Sequence, residues 1–156
     1  MSAEQLLTDL DRQTIAVSKA LAADAVEKAG SGHPGTPISL EGVAWLLYQR
    51  EMVHDPADPG WLGRDRFVLS IGHASLVQYI QLFLAGYDID LEGFTAFRSP
   101  AGLPVHPEFG EVPGVETTTG PLGAGFTNAV GMDMAARFEH GLLDPAAPAG
   151  TSVFDH

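Results

Sequence analysis

The chain of 156 residues contains no cysteine, which excludes a disulfide framework and thiolate chemistry. Positive charge is scarce. Eight Lys and Arg stand against twenty Asp and Glu, a formal net charge of −12. Nucleic acid and anionic membrane surfaces both need basic patches, so neither is expected as a partner. No apolar run reaches the roughly 20 residues that a membrane span requires. The opening Met1-Ser2-Ala3-Glu4-Gln5 lacks the basic start of a secretory leader, and the cytoplasm is the expected compartment. No internal repeat is visible. Neither His-Glu-x-x-His nor Cys/His ligand spacing occurs, so no residue is assigned to a metal.

What is present fits a globular domain. Hydrophobic residues make up 45% and charged residues 18%, ordinary values for a chain long enough to bury one core. Ser2 and Gln5 have the spacing of a capping box, and the helix they predict runs to Ala29, where Gly30 stops it. A second helix is expected over 39–52, with Leu40, Val43, Ala44 and Leu47 as its core-facing stripe. Arg66-Phe-Val-Leu-Ser70 is short, rich in β-formers and the best strand candidate. It leads through Gly72-His73 into a helix with Leu76, Ile80, Phe83 and Leu84 on one face. A Pro-rich loop over 99–122 precedes a last helix over 123–142. In that helix Phe126, Val130, Met134, Phe138 and Leu142 recur every four residues.

Three places combine chemistry with a rigid backbone. Gly114-Val-Glu-Thr-Thr-Thr-Gly-Pro-Leu-Gly-Ala-Gly125 sets bare backbone and small hydroxyls just before a helix start, where N–H groups carry partial positive charge. Its glycine spacing is not that of the dinucleotide fingerprint. His33 lies in Ser31-Gly-His-Pro-Gly35, between Gly and Pro. His73 lies between a candidate strand and a helix, the kind of edge at which open α/β sheets bind ligands. His106 sits in the long loop, in Leu103-Pro-Val-His-Pro-Glu108. Imidazoles move protons or donate to hydroxyls near neutral pH.

Taken together, Ser31-Gly-His-Pro-Gly35, Asp65-Arg-Phe-Val-Leu-Ser-x-Gly-His73 and Gly120-Pro-Leu-Gly123 resemble the amino-terminal part of a transketolase of actinobacterial type. The resemblance extends from about Asp11 to His156. It implies an α/β fold: a partial thiamine-diphosphate-binding domain over 1–156, mostly helical, with most of the parallel sheet missing. It implies thiamine diphosphate and Mg2+ as cofactors of the complete enzyme, sugar phosphates as substrates, and a homodimer. The reaction implied moves a two-carbon ketol unit from a ketose phosphate to an aldose phosphate. His33, His73 and His106 are the implied catalytic residues. His73, Gly120, Pro121, Leu122 and Gly123 are the implied cofactor contacts.

The chain departs from the family pattern at Val105, where Gly is usual before the His, and at Ala124, where Gln is common. The family's Asp and Asn ligands for Mg2+ and its cofactor-activating Glu are not found, so this chain alone is expected to be inactive. Two other readings stay open from sequence: one subunit of a split enzyme that needs a partner chain, and a non-catalytic remnant.

Overall fold

A capping box starts the first helix. Thr8 Oγ1 accepts the Asp11 N–H at 3.2 Å, and Asp11 Oδ2 accepts the Thr8 N–H at 2.7 Å. Two end-of-helix donors are thereby satisfied reciprocally. The structure, a computed structural model, describes residues 7–155. Helix α1 spans Asp9–Ala29 and ends at Gly30, as expected. The Ser2 and Gln5 box lies outside the described residues.

Helix α2 spans Gly35–Leu46 and passes into a wider π-helical turn, Leu47–Glu51. A 3-10 turn, Gly72–Ala74, leads into α3, Leu76–Ala85. A short α4, Leu91–Thr95, is capped by the Asp90 carboxylate, which accepts the Gly93 N–H at 2.7 Å. The last helix, α5, spans Ala124–Leu143.

The core forms where α2 packs against both α1 and α3, with α4 closing onto α1. Its centre is Ala22, Ala25, Tyr48, Leu76, Tyr79, Ile80 and Leu82, joined by Phe94 from α4 and by Tyr87, Phe97 and Leu103 from the loops around it. The expected stripe on α2 holds at Ala44, and Leu47 is half-buried, but the buried face is rotated away from the other two positions. Leu40 and Val43 face outward, and Pro37, Glu41, Ala44, Trp45 and Tyr48 face in. This helix is apolar nearly all round, so periodicity does not choose a face. The two large aromatic rings bury more area than Leu and Val and decide the rotation. On α3 the expected single face is too narrow. Every residue from Leu76 to Leu82 is buried, while Leu84 is exposed.

No β-ladder joins any described residues. The strand expected at Arg66–Ser70 is therefore corrected to an irregular connection. A strand needs a neighbour to pair its N–H and C=O groups, and no described segment supplies one. The described part is mostly helical, as expected, and none of the parallel sheet forms within it.

Burying Glu41 has a measurable consequence. It is fully enclosed, and Gln81 Nε2 donates to its Oε1 at 2.6 Å. Loss of water pushes the carboxyl up to about 7, and the donors Gln81 and Ser18 with the Lys19 charge only partly offset this. Below the ordinary value of 4.5, folded and unfolded chains both hold the proton. As pH rises from there to about 7, only the unfolded chain releases it, so stability falls. The loss levels off near 3 kcal/mol, since one pKa unit is worth about 1.4 kcal/mol. Glu41→Gln should remove this slope, and Gln81 Oε1, which has no partner, can accept the new amide. Thermal midpoints of the full-length protein from pH 4.5 to 8 test it. Equal pH slopes for the two proteins would contradict the assignment.

Helix α5 buries only Gly125 and Ala136. Phe126, Val130, Met134, Phe138 and Leu142 all stand exposed along one side. Each such side chain is worth roughly 1.5–3 kcal/mol when buried, against a net stability of about 5–15 kcal/mol. The isolated 156 residues should therefore self-associate, bind further protein, or fold poorly. Analytical ultracentrifugation with thermal unfolding is the check, and a clean monomer with a sharp transition is the outcome against it.

Candidate active site

Three loops that precede helices meet at one place. The first, 31–34, follows the end of α1 and delivers His33 to the start of α2. The second is the 3-10 turn that carries His73 into α3. The third is the Thr- and Gly-rich loop before α5. The His33 and His73 rings stand edge to face, with centroids 4.8 Å apart at 71°. His33 is exposed and His73 half-buried, so the pair opens to solvent on one side.

The third loop is held on the backbone around His73. Gly72 is buried, and a Cβ built there would lie 2.7 Å from the Thr119 carbonyl carbon and oxygen. Gly125 packs as tightly: its Cβ would meet Ser70 Cα at 2.6 Å. Ser70 Oγ then accepts the Phe126 N–H at 3.0 Å. Backbone atoms touch at both contacts, and only glycine permits such an approach. The sequence motif did not single out this role for Gly72 or Ser70. The signal was available, since a Gly directly after a short run of β-formers, between Ile71 and His73, marks a close backbone approach.

His106 joins the cluster through the same loop. A Cβ on Gly120 would lie 3.7 Å from the His106 ring. The backbone of 105–107 is tied on three consecutive carbonyls. Ser75 Oγ donates to Val105 O and Tyr79 OH to His106 O, both at 2.8 Å, and the Thr119 N–H donates to Pro107 O at 3.1 Å. Val105 does not need the positive φ of the usual Gly. Among the described non-glycine residues only Arg98 takes one, at 68°.

Pro121, Leu122 and Gly123 are exposed at the entry of α5, and Leu122 is 73% exposed. Thr119, buried just before them, has an Oγ1 without a hydrogen-bond partner. The cluster therefore offers an apolar ledge and a helix N-terminus, the paired His33 and His73 rings, and the His106 ring against Gly120. Such a set can seat a flat apolar ring and hand protons to a substrate's oxygens. Among the described residues no three His, Asp or Glu side chains gather where they could hold a metal ion. No described helix is long and apolar enough to cross a membrane.

The chain matches the family described as transketolase, thiamine diphosphate binding domain, over residues 10–156. It is 55% identical over 150 residues to a transketolase of Mycobacterium tuberculosis, covering 96% of this chain and 21% of that protein. A transketolase structure from Campylobacter jejuni superposes with a TM-score of 0.83 at 43% identity, over 88% of this chain and 22% of that one. A Pichia stipitis transketolase in complex with sedoheptulose-7-phosphate gives a TM-score of 0.73 at 41% identity, over 84% of this chain and 20% of that one. The chain thus spans about a fifth of the length of the relatives it matches.

The glycine contact can be tested directly. Gly72→Ala should cost about 1–3 kcal/mol by overpacking, because backbone cannot swing aside as a side chain can. Gly42→Ala, where a Cβ meets nothing within 4 Å in the middle of α2, should be neutral or stabilise by up to about 1 kcal/mol. Equal thermal midpoints for the two variants would refute the close approach.

Proposed function

The chain belongs to the transketolase family, and from that premise we propose that it forms the amino-terminal part of a thiamine-diphosphate-binding α/β domain in an enzyme transferring a two-carbon ketol unit between sugar phosphates. The observation that carries this reading is the edge contact of His33 and His73 beside the Gly120–Gly123 loop. His33 and His106 bind and orient the sugar's oxygens and move protons among them. His73 reaches both the substrate and the cofactor's diphosphate. Gly120, Pro121, Leu122 and Gly123 seat the aminopyrimidine ring.

The residues present fit that ring. Pro121 and Leu122 expose apolar surface next to backbone without side chains, and a flat heteroaromatic ring needs both. The cofactor, when bound, supplies the carbanion chemistry. The residues do not fit its metal. Mg2+ needs oxygen ligands in near-octahedral array, and the described residues gather no such set. Mg2+ ligands and phosphate-binding groups are therefore assigned to protein outside these residues. We further assign the complete enzyme to a homodimer in the cytoplasm, acting on ketose and aldose phosphates.

Full-length protein should transfer the two-carbon unit only when thiamine diphosphate and Mg2+ are added. His33→Ala and His73→Ala should each lower kcat/KM by about 10²-fold or more, the range for lost acid–base groups. The 156 residues alone should be inactive and bind thiamine diphosphate with a Kd weaker than about 10 μM, since a micromolar Kd already requires roughly −8 kcal/mol. Steady-state assays and calorimetric titration measure these. Absence of ketol transfer by the full-length protein, or full activity in His73→Ala, would reject the reading.

A further inference from the structure

A loop that seats a ligand must be held at its entry as well as its exit. The exit of the 114–125 loop is held by Ser70 and Gly125. Its entry is held by an ion pair that no step above uses. Arg64 Nε donates to Glu116 Oε1 at 2.8 Å and Nη2 donates to Oε2 at 2.7 Å. The third guanidinium nitrogen, Nη1, donates to Trp61 O at 2.7 Å. The side chains are only 14% and 9% exposed. The Glu116 hydrogen bonds hold Arg64 above the ordinary Arg value.

The base of this pair is stiff. Asp65, next in the chain to Arg64, clasps Val53 twice. Its Oδ2 accepts the Val53 N–H at 2.7 Å, and its own N–H donates to Val53 O at 2.8 Å. Arg64 therefore projects from a closed loop. The same chain then runs on to Ser70, Gly72 and His73. The ion pair at 64 and 116 and the packing of Ser70 on Gly125 close two segments into a ring, with Gly72 and Thr119 touching. The ring contains the loop 117–123 on one side and leads to His73 on the other.

We propose that Arg64 and Glu116 are positioning residues whose two-point ion pair sets the 117–123 loop against the His73 turn and so tunes cofactor affinity. The inference rests on the transketolase reading above. An exposed ion pair would carry little weight. A fork of two parallel, largely buried hydrogen bonds fixes orientation as well as distance, and only Arg can make it. Lys keeps the charge and loses the second point of contact.

The test uses the full-length protein, as wild type, Arg64→Lys, Arg64→Met and the swap Arg64→Glu with Glu116→Arg. Arg64→Lys keeps a buried partner for Glu116 and is the variant least prone to misfold. Two quantities are read: amide exchange of residues 117–123 without cofactor, and the thiamine diphosphate Kd beside kcat at saturating cofactor. Arg64→Lys should speed exchange in the loop about tenfold or more, at temperatures well below global unfolding. It should raise Kd about tenfold or more and leave saturated kcat within about twofold. The swap should recover part of both losses. Unchanged exchange in both single variants overturns the proposal, as does faster exchange at unchanged Kd, or a fall in kcat at unchanged Kd. If the wild type binds no thiamine diphosphate, the transketolase reading fails and the affinity claim with it. Exchange then still decides whether the pair orders the loop.

Discussion

Two backbone-to-backbone contacts, Gly72 on Thr119 and Gly125 on Ser70, set the distances on which the rest of the site depends. Side-chain contacts can relax by changing rotamer. Backbone contacts cannot, so the turn bearing His73 and the loop bearing Gly120 behave as one piece. His106 is drawn in by its proximity to Gly120, and His33 by its ring contact with His73. One pair of close approaches thus gathers residues as far apart in sequence as His33 and Gly123.

Helix packing supplies the platform for those contacts. Helix α2 follows directly on the His33 loop and α3 on the His73 turn, and the two helices pack together. The Glu41–Gln81 hydrogen bond ties them internally. A buried carboxyl is costly to ionise, so the fold is most stable when Glu41 keeps its proton, even though the Gln81 hydrogen bond by itself favours the ionised form. Polar atoms in the core are thus arranged to hold α2 and α3 in one relation.

The asymmetry of α5 follows from the same construction. Its first turn is anchored by Gly125 and by the Phe126 N–H to Ser70. Beyond that, its large apolar side chains face away from the three-helix core. The helix is thus fixed at the end that matters for the site and presents an uncovered stripe along the rest. A similar division applies to the connection at 65–70, which is positioned at Ser70 but pairs with no strand.

The sequence alone determined the end of α1 at Gly30, the span of α5 to within a residue and the loop before it, because these depend on local chemistry. Gly30 terminates a helix and Gly-Pro-Leu-Gly forms a turn whatever surrounds them. It did not determine which face of α2 is buried, because Leu, Val, Trp and Tyr occur all round that helix and only packing volume selects among them. It pointed to a strand at Arg66–Ser70 from β-forming residues, but a strand exists only with a partner. The capping box formed by Thr8 and Asp11 at the start of α1 was not read from the sequence. Only the tertiary structure decided that Gly72 must be glycine, that Arg64 meets Glu116, and that Glu41 loses its water. Each of these depends on a residue distant in the chain, and nothing in local sequence encodes the distance between them.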